Sequence, residues 1–181
     1  MLIALSGKMY SGKSTVADFL IRNHKFHRLS FAGALKEDIM EMGFSAQDVL
    51  NKPPWMRELL QAYGKARRAA DPGYWVKRLR VKLDDPEFTA DRVVIDDMRF
   101  PNEAQFLAGR GAYLVRLQRL GFERGELPGW DDESETALDG WANWSRIIAA
   151  ASNDLPLLNQ GATELMRDVQ QIEDHNNPWA V

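Results

Sequence analysis

Eight residues near the start of the chain, Gly7-Lys8-Met9-Tyr10-Ser11-Gly12-Lys13-Ser14, leave few architectures open. They follow an apolar run, Leu2 to Leu5, and precede Val16, Phe19 and Leu20 at helical spacing. The order is strand, tight loop, helix, with a glycine at each end of the loop and Lys13, Ser14 and Thr15 at its close. Gly7 and Gly12 permit backbone conformations closed to residues with side chains. The loop N–H groups then converge on an anion, and the start of the helix adds the positive end of its dipole. Lys13 is the expected contact to β- and γ-phosphates, and Ser14 the expected Mg²⁺ ligand.

The rest of the sequence fits a single domain over residues 1–181. With 45% hydrophobic and 27% charged residues, the mixture is that of an ordinary globular protein with a real core. Cysteine is absent, which excludes disulfides and thiolate metal sites. The start, Met1-Leu2-Ile3, has no basic region, and nothing approaches ~20 consecutive apolar residues. A cytoplasmic protein that does not cross a membrane is the expectation. A net charge of -3 argues against stable nucleic-acid binding, although local cation clusters can still hold small phosphorylated ligands.

Strand and helix signals alternate. Helices are expected from Ser14 to about Asn23, Ala34 to Met42, Trp55 to about Ala69, Tyr74 to about Leu83, Pro101 to about Leu107, and Gly161 to Ile172. Strands are expected at His27 to Phe31, Arg92 to Asp97, Ala112 to Leu117 and Ile147 to Ala151. The apolar run Val93-Val94-Ile95 reads as a strand buried on both faces, and the alternation as a doubly wound, mostly parallel sheet.

A P-loop serves kinases, GTPases, motors and transport ATPases alike. The chain is short for a motor and has no N-K-x-D stretch for guanine, which leaves a small phosphotransferase. Such an enzyme needs a cationic cradle for the acceptor, an acidic residue, and a cationic lid. Arg57, Gln61 and Arg68 lie on one side of an expected helix, where an arginine fork suits a phosphate dianion. Tyr63 or Trp75 can stack on a base, and the same stretch also reads as a solvated basic face. Lys36 reads either way. Asp96 and Asp97 stand at a strand end, where one of them can hold Mg²⁺ through water or accept a proton. Alternatively, they cap the helix that opens at Pro101, with Arg99 as ion-pair partner.

The series Gly7 to Thr15, Ser30-Phe31-Ala32 with Leu35-Lys36, Arg57-Glu58-Leu59-Leu60-Gln61-Ala62-Tyr63-Gly64, Asp97-Met98-Arg99-Phe100-Pro101-Asn102-Glu103-Ala104 and Ser134-Glu135-Thr136-Ala137-Leu138 resembles the phage-type deoxynucleoside monophosphate kinases. The resemblance spans Leu2 to about Leu165, and departs from the family pattern at Gly33-Ala34 and between Trp141 and Leu158. It implies transfer of the γ-phosphoryl group of ATP, with Mg²⁺, to a deoxynucleoside 5′-monophosphate. It also implies a three-layer P-loop NTPase fold: a five-stranded, mostly parallel sheet flanked by helices, an NMP-binding helical segment at about 33–85 and a lid at about 118–132. By the same resemblance Gly7, Lys8, Ser11, Gly12, Lys13, Ser14 and Thr15 hold ATP, with Asn153 as an adenine contact. Lys13, Asp97, Arg99 and Arg119 serve catalysis, Ser14 and Asp97 the metal. Lys36, Arg57, Gln61, one of Arg67 and Arg68, Trp75 and Glu135 face the acceptor, and Arg119 and Arg124 act from the lid. Ser134-Glu135 also reads as a helix start. A homodimer stays open.

Two other readings use the same residues. One is a P-loop kinase of another acceptor, such as dephospho-coenzyme A or a modified base in DNA; a pI near 5.7 disfavours the DNA substrate. The other is a non-catalytic ATP-binding module, which needs no acceptor cradle.

Overall fold

The computed structural model describes residues 1–121, 132–151 and 154–176. In chain order its elements are β1 (Leu2–Ser6), α1 (Lys13–His24), β2 (His27–Leu29), α2 (Phe31–Glu41), α3 (Ala46–Asn51), α4 (Pro54–Ala70), α5 (Tyr74–Leu83), β3 (Val93–Ile95), α6 (Pro101–Gly109), β4 (Tyr113–Leu120), α7 (Glu133–Thr136), β5 (Arg146–Ala151) and α8 (Leu155–Asn176). They fall into two compact units, Met1–Arg28 with Ala90–Val181, and Leu29–Thr89.

The first unit carries a five-stranded sheet in the order β2-β3-β1-β4-β5, with its strands parallel. β1 is central, and the chain leaves it toward β3 on one side and β4 on the other. The loop that follows β1 therefore opens at the point where strand order reverses, the place where α/β sheets bind ligands. Residues two apart along the strands build a single core face: Ile3 and Leu5, Val115 and Leu117, Ile148 and Ala150. Val16, Ala17 and Leu20 of α1, and Leu158, Ala162, Leu165 and Val169 of α8, close over that face. Val93, Val94 and Ile95 are all buried, as their unbroken apolar run requires in a sheet covered on both sides.

α8 approaches the sheet closely because Gly161 has no side chain. A Cβ there would stand 2.6 Å from Ile148 Cγ2. Gly-to-Ala in a helix interior ordinarily gains up to about 1 kcal/mol. Here overpacking, at roughly 1–3 kcal/mol, is expected to win, so that Gly161→Ala lowers the denaturation midpoint. A midpoint that stays level or rises would contradict this packing.

The second unit is helical. Ser30 caps α2, its hydroxyl accepting from the Gly33 N–H at 2.9 Å, and Pro54 opens α4 at a position that needs no donor. Ile39, Val49, Met56 and Leu60 form its core, with Leu35, Leu59 and Tyr63 packed alongside.

Several elements differ from the sequence expectation. β4 runs three residues further, to Leu120, because β5 pairs with it that far: Arg119 lies opposite Ala150, and Leu120 opposite Ala151. Gln118, Arg119 and Leu120 are thus strand and not the start of a lid. Residues 122–131 of that expected lid, Arg124 among them, lie outside the described residues, as does Asn153. α3 is an additional helix, and α8 starts six residues before Gly161. Among the described residues no helix is long and apolar enough to cross a membrane.

Candidate active site

The loop between β1 and α1 is built on close backbone approach. At Gly7 a Cβ would stand 2.5 Å from the carbonyl oxygen of Leu117 in β4. Gly12 has φ +92°, and a Cβ there would meet Leu158 Cδ2 at 2.7 Å. Tyr10 holds φ +62°, a left-handed conformation that costs a residue with a side chain and that recurs at functional loops.

Lys13 opens α1 and folds back over this loop. Its ammonium donates to the carbonyl oxygens of Gly7 at 2.7 Å and Lys8 at 2.8 Å. Burial, then the Arg99 guanidinium, lower its pKa to about 8, against the opposing pull of Glu135 and Asp96. Ser11 Oγ is buried without a hydrogen-bond partner. A cationic group short of solvent and a buried hydroxyl short of a partner together suit an anion.

Ser11, Gly12, Lys13, Ser14 and Thr15 share a cavity of about 550 Å³ with Arg99 and Arg119, and Ala150, Asp154 and Leu155 form its far wall. The Arg119 guanidinium donates to the Tyr10 carbonyl at 3.5 Å, so this cation reaches the loop from a strand. Lys8 lines a neighbouring cavity of about 640 Å³ together with Arg116, Asp139, Trp141 and Trp144, and Met9 lines both cavities. There Asp139 joins two cations, Lys8 Nζ at 3.3 Å and Arg116 Nη2 at 2.6 Å, and Arg116 lies over the Trp144 ring. Nothing local in the sequence marks Arg116, Asp139 or Trp144.

The alternative reading of the aspartate pair as a helix cap does not hold. The N-terminus of α6 is satisfied by Glu103, whose Oε2 accepts from the N–H groups of Arg99 at 2.8 Å and Phe100 at 3.1 Å. Arg99 pairs through its guanidinium with Glu135. Asp96 Oδ2 lies 3.5 Å from Arg28 Nε, and Arg28 also bonds Asp18 of α1 at 2.7 Å.

Glu135, expected to touch the acceptor, is instead buried at 6% exposure, and both its oxygens are engaged by protein. Oε2 accepts from the Met9 N–H at 2.6 Å, and Oε1 from Arg99 Nη1. It does lie in a helix start, but the cap is Asp132, which accepts from the Ser134 N–H at 2.9 Å.

In the second unit a cation cluster forms around Lys52, a residue the sequence reading passed over. Burial, then the nearby charges of Lys36 and Arg57, push its ammonium below the ordinary lysine value. The Arg57 Nε donates to the Lys52 carbonyl at 3.0 Å, which fixes the direction of its guanidinium. Lys36, Lys52 and Arg57 come from α2, the end of α3 and α4, so the fold holds together like charges that repel. Gln61 is exposed on α4.

Further along α4, Arg67 is clamped. Its Nε donates to Tyr63 OH at 2.8 Å, and its guanidinium lies over the rings of Tyr63 and Tyr74 at 5.1 and 5.0 Å. Asp38 organises both tyrosines, accepting from Tyr74 OH at 2.6 Å and Tyr63 OH at 3.2 Å, with Arg78 Nη2 at 2.6 Å. The hydrogen bond to Asp38 and then burial push the Tyr74 phenol up to about 12. Arg67 thus has a built support, and Arg68 follows it at half-burial. Trp75 is corrected from a base platform to a core residue: it is 3% exposed, its indole N–H donates to the Gly64 carbonyl at 3.2 Å, and Tyr63 and Tyr74 meet it edge-on.

No protein-family model matches the chain. A mimivirus protein named "Putative deoxynucleotide monophosphate kinase" is 32% identical over 150 residues, 67% of this chain and 75% of that protein. Two proteins of Ictalurid herpesvirus 1, the uncharacterized proteins ORF77 and ORF76, are 32% and 28% identical over 81% of this chain. The chain spans 62% and 60% of their respective lengths. With a glycine-bounded loop at the switch point of a parallel sheet, and a mimivirus relative matched over most of its length, the chain belongs to that relative's nucleotide kinase-like family.

Proposed function

We propose that the protein transfers the γ-phosphoryl group of ATP to a deoxynucleoside 5′-monophosphate, releasing ADP and the deoxynucleoside diphosphate. The observation that carries this reading is that the chain has two cationic sites of different design, one in each unit. One is a P-loop whose lysine, arginine and orphaned serine await a polyphosphate. The other is the Lys36–Lys52–Arg57 cluster of the second unit, where crowded like charges suit a compact dianion. A switch module would need only the first. The deoxynucleotide acceptor is taken from the mimivirus relative's name and from the sequence resemblance.

What supports ATP in this loop is Ser11 Oγ, buried without the partner that a phosphate oxygen would supply. Ser14 and Asp97 would hold Mg²⁺, which offsets negative charge on the β- and γ-phosphates. Lys13, Arg99 and Arg119 then face the transferring group with preset charge. Arg57 and Lys36 orient the acceptor phosphate, Gln61 reads its base, and Arg67, held between two tyrosines, presents its guanidinium. Incubation with ATP, Mg²⁺ and a panel of deoxy- and ribonucleoside monophosphates, dephospho-coenzyme A and oligonucleotides tests the reading. ADP release that rises only with deoxynucleoside monophosphates supports it; release driven by another acceptor, or by none, replaces it.

Arg57 tests the acceptor site. A charge-assisted hydrogen bond to phosphate is worth roughly 1.5–3 kcal/mol, so Arg57→Ala is expected to raise the acceptor KM about 10- to 100-fold. The KM for ATP is expected to stay near its wild-type value. Arg57→Lys restores attraction without the fork and is expected to fall in between. Equal losses for both substrates would remove Arg57 from the acceptor cradle.

A further inference from the structure

We propose that Glu135 is a positioning residue for the phosphate-binding loop, acting on the Met9 amide with one carboxylate oxygen and on the Arg99 guanidinium with the other. The proposal rests on the kinase reading above for its effect on turnover, but not for its effect on nucleotide binding.

Three segments distant in sequence meet at this carboxylate. Met9 is in the loop after β1, Arg99 lies between β3 and α6, and Glu135 is in α7. Each is held from its own side. Asp132 caps α7, and Glu103 holds the Arg99 backbone N–H at 2.8 Å. The Arg99 side chain also donates to the Ser134 carbonyl at 3.3 Å. Four residues after Glu135, Asp139 repeats the arrangement with Lys8 of the loop and Arg116 of β4. Thus 133–139 meets the loop through two carboxylates, each shared between one loop residue and one arginine.

A carboxylate buried to this degree is costly unless both oxygens are satisfied, and here both are. Its chemistry suits positioning. A fixed acceptor on the Met9 N–H sets that peptide plane, and hence the direction of the N–H groups that follow it around the loop. The charge on the second oxygen fixes the Arg99 guanidinium at the cavity wall, where a shift of about 1 Å is enough to cost 100-fold in rate. Glutamine at 135 keeps an acceptor for Met9 and loses the charge toward Arg99; alanine loses both.

The two variants therefore separate the two roles. ADP affinity of the full chain, measured by equilibrium dialysis, is expected to stay within about threefold in Glu135→Gln and to weaken about tenfold or more in Glu135→Ala, the loss of one charged hydrogen bond. In turnover, Glu135→Gln is expected to lower kcat at least about tenfold with little change in the KM for ATP. In an Arg99→Ala background Glu135→Gln should add nothing further to kcat, because the charge acts through Arg99. ADP affinity of Glu135→Ala equal to wild type, or multiplicative losses in the double variant, would overturn the proposal. So would loss of folding in both variants on thermal melts, which would make Glu135 a plain structural ion pair. If wild type phosphorylates no monophosphate, the kinase reading fails, while the ADP affinities still decide whether Glu135 holds the loop.

Discussion

Lys13→Ala is expected to bring turnover below about one thousandth of wild type, the upper end of the loss from removing one preset donor to developing charge. The protein is expected to remain folded. In the ligand-free protein the ammonium bonds two loop carbonyls, but it is also crowded by Arg99 and short of water. Its pKa is about 8 in the folded chain and that of an ordinary lysine, 10.5, when unfolded. Below pH 8 both states are protonated and the full cost of the buried charge is present. Between about pH 8 and 10.5 the folded state has shed a proton that the unfolded state keeps, so stability rises with pH in that window. Removing the charge at neutral pH thus relieves one cost while losing two hydrogen bonds, and the thermal midpoint is expected to shift little. The same ionisation predicts that kcat/KM for ATP falls above about pH 8, where the free protein loses the ammonium. A folded variant that keeps most of its activity would remove Lys13, and with it the phosphate-loop reading of 7–14.

The loop was legible because its chemistry is local. Two glycines, a lysine and a hydroxyl at fixed spacing leave one conformation that buries no conflict, and close contacts with Leu117 and Leu158 reinforce it. The parallel sheet was legible for a similar reason, since an apolar run such as Val93 to Ile95 needs cover on both faces. α3 was not, because a six-residue helix with Val49 as its one buried residue shows no period. The last three residues of β4 have the sequence of a loop, since Gln118 and Arg119 are polar; what makes them strand is pairing with β5, a tertiary fact. The start of α8 was hidden by Pro156, which is tolerated in a first turn, and by Gly161, whose reason is contact with Ile148.

Side-chain partners follow the same division. That Arg57 and Lys13 are cations facing phosphate is an expectation residue type alone can raise. That Lys52 completes the cluster with Arg57 and Lys36 depends on the α3 end meeting α2 and α4. Glu135 bonds an amide 126 positions away, and no spacing rule reaches that far. Trp75 went the other way: an aromatic near basic residues invites a ligand, yet its indole N–H and ring edges are spent inside the second unit.

Asp97→Asn is expected to lower kcat at least ~100-fold, as befits a carboxylate that organises metal or acceptor charge. The neighbouring position supplies the comparison. Asp96 is engaged by Arg28, and its charge helps keep Lys13 protonated. Asp96→Asn therefore weakens one of the two carboxylate influences that raise the Lys13 pKa. Its signature is a shift of the alkaline limb of kcat/KM to lower pH, with a modest change in the plateau. Asp97→Asn, which removes the proposed metal- or acceptor-organising charge, should show chiefly as a lower plateau. Measuring both variants from pH 6 to 9.5, a range spanning the alkaline limb near about 8, separates magnitude from position. A larger plateau loss in Asp96→Asn would move the essential acid one residue earlier, to the carboxylate beside Arg28. Shifted limbs in both variants would mean that both carboxylates act on the Lys13 charge.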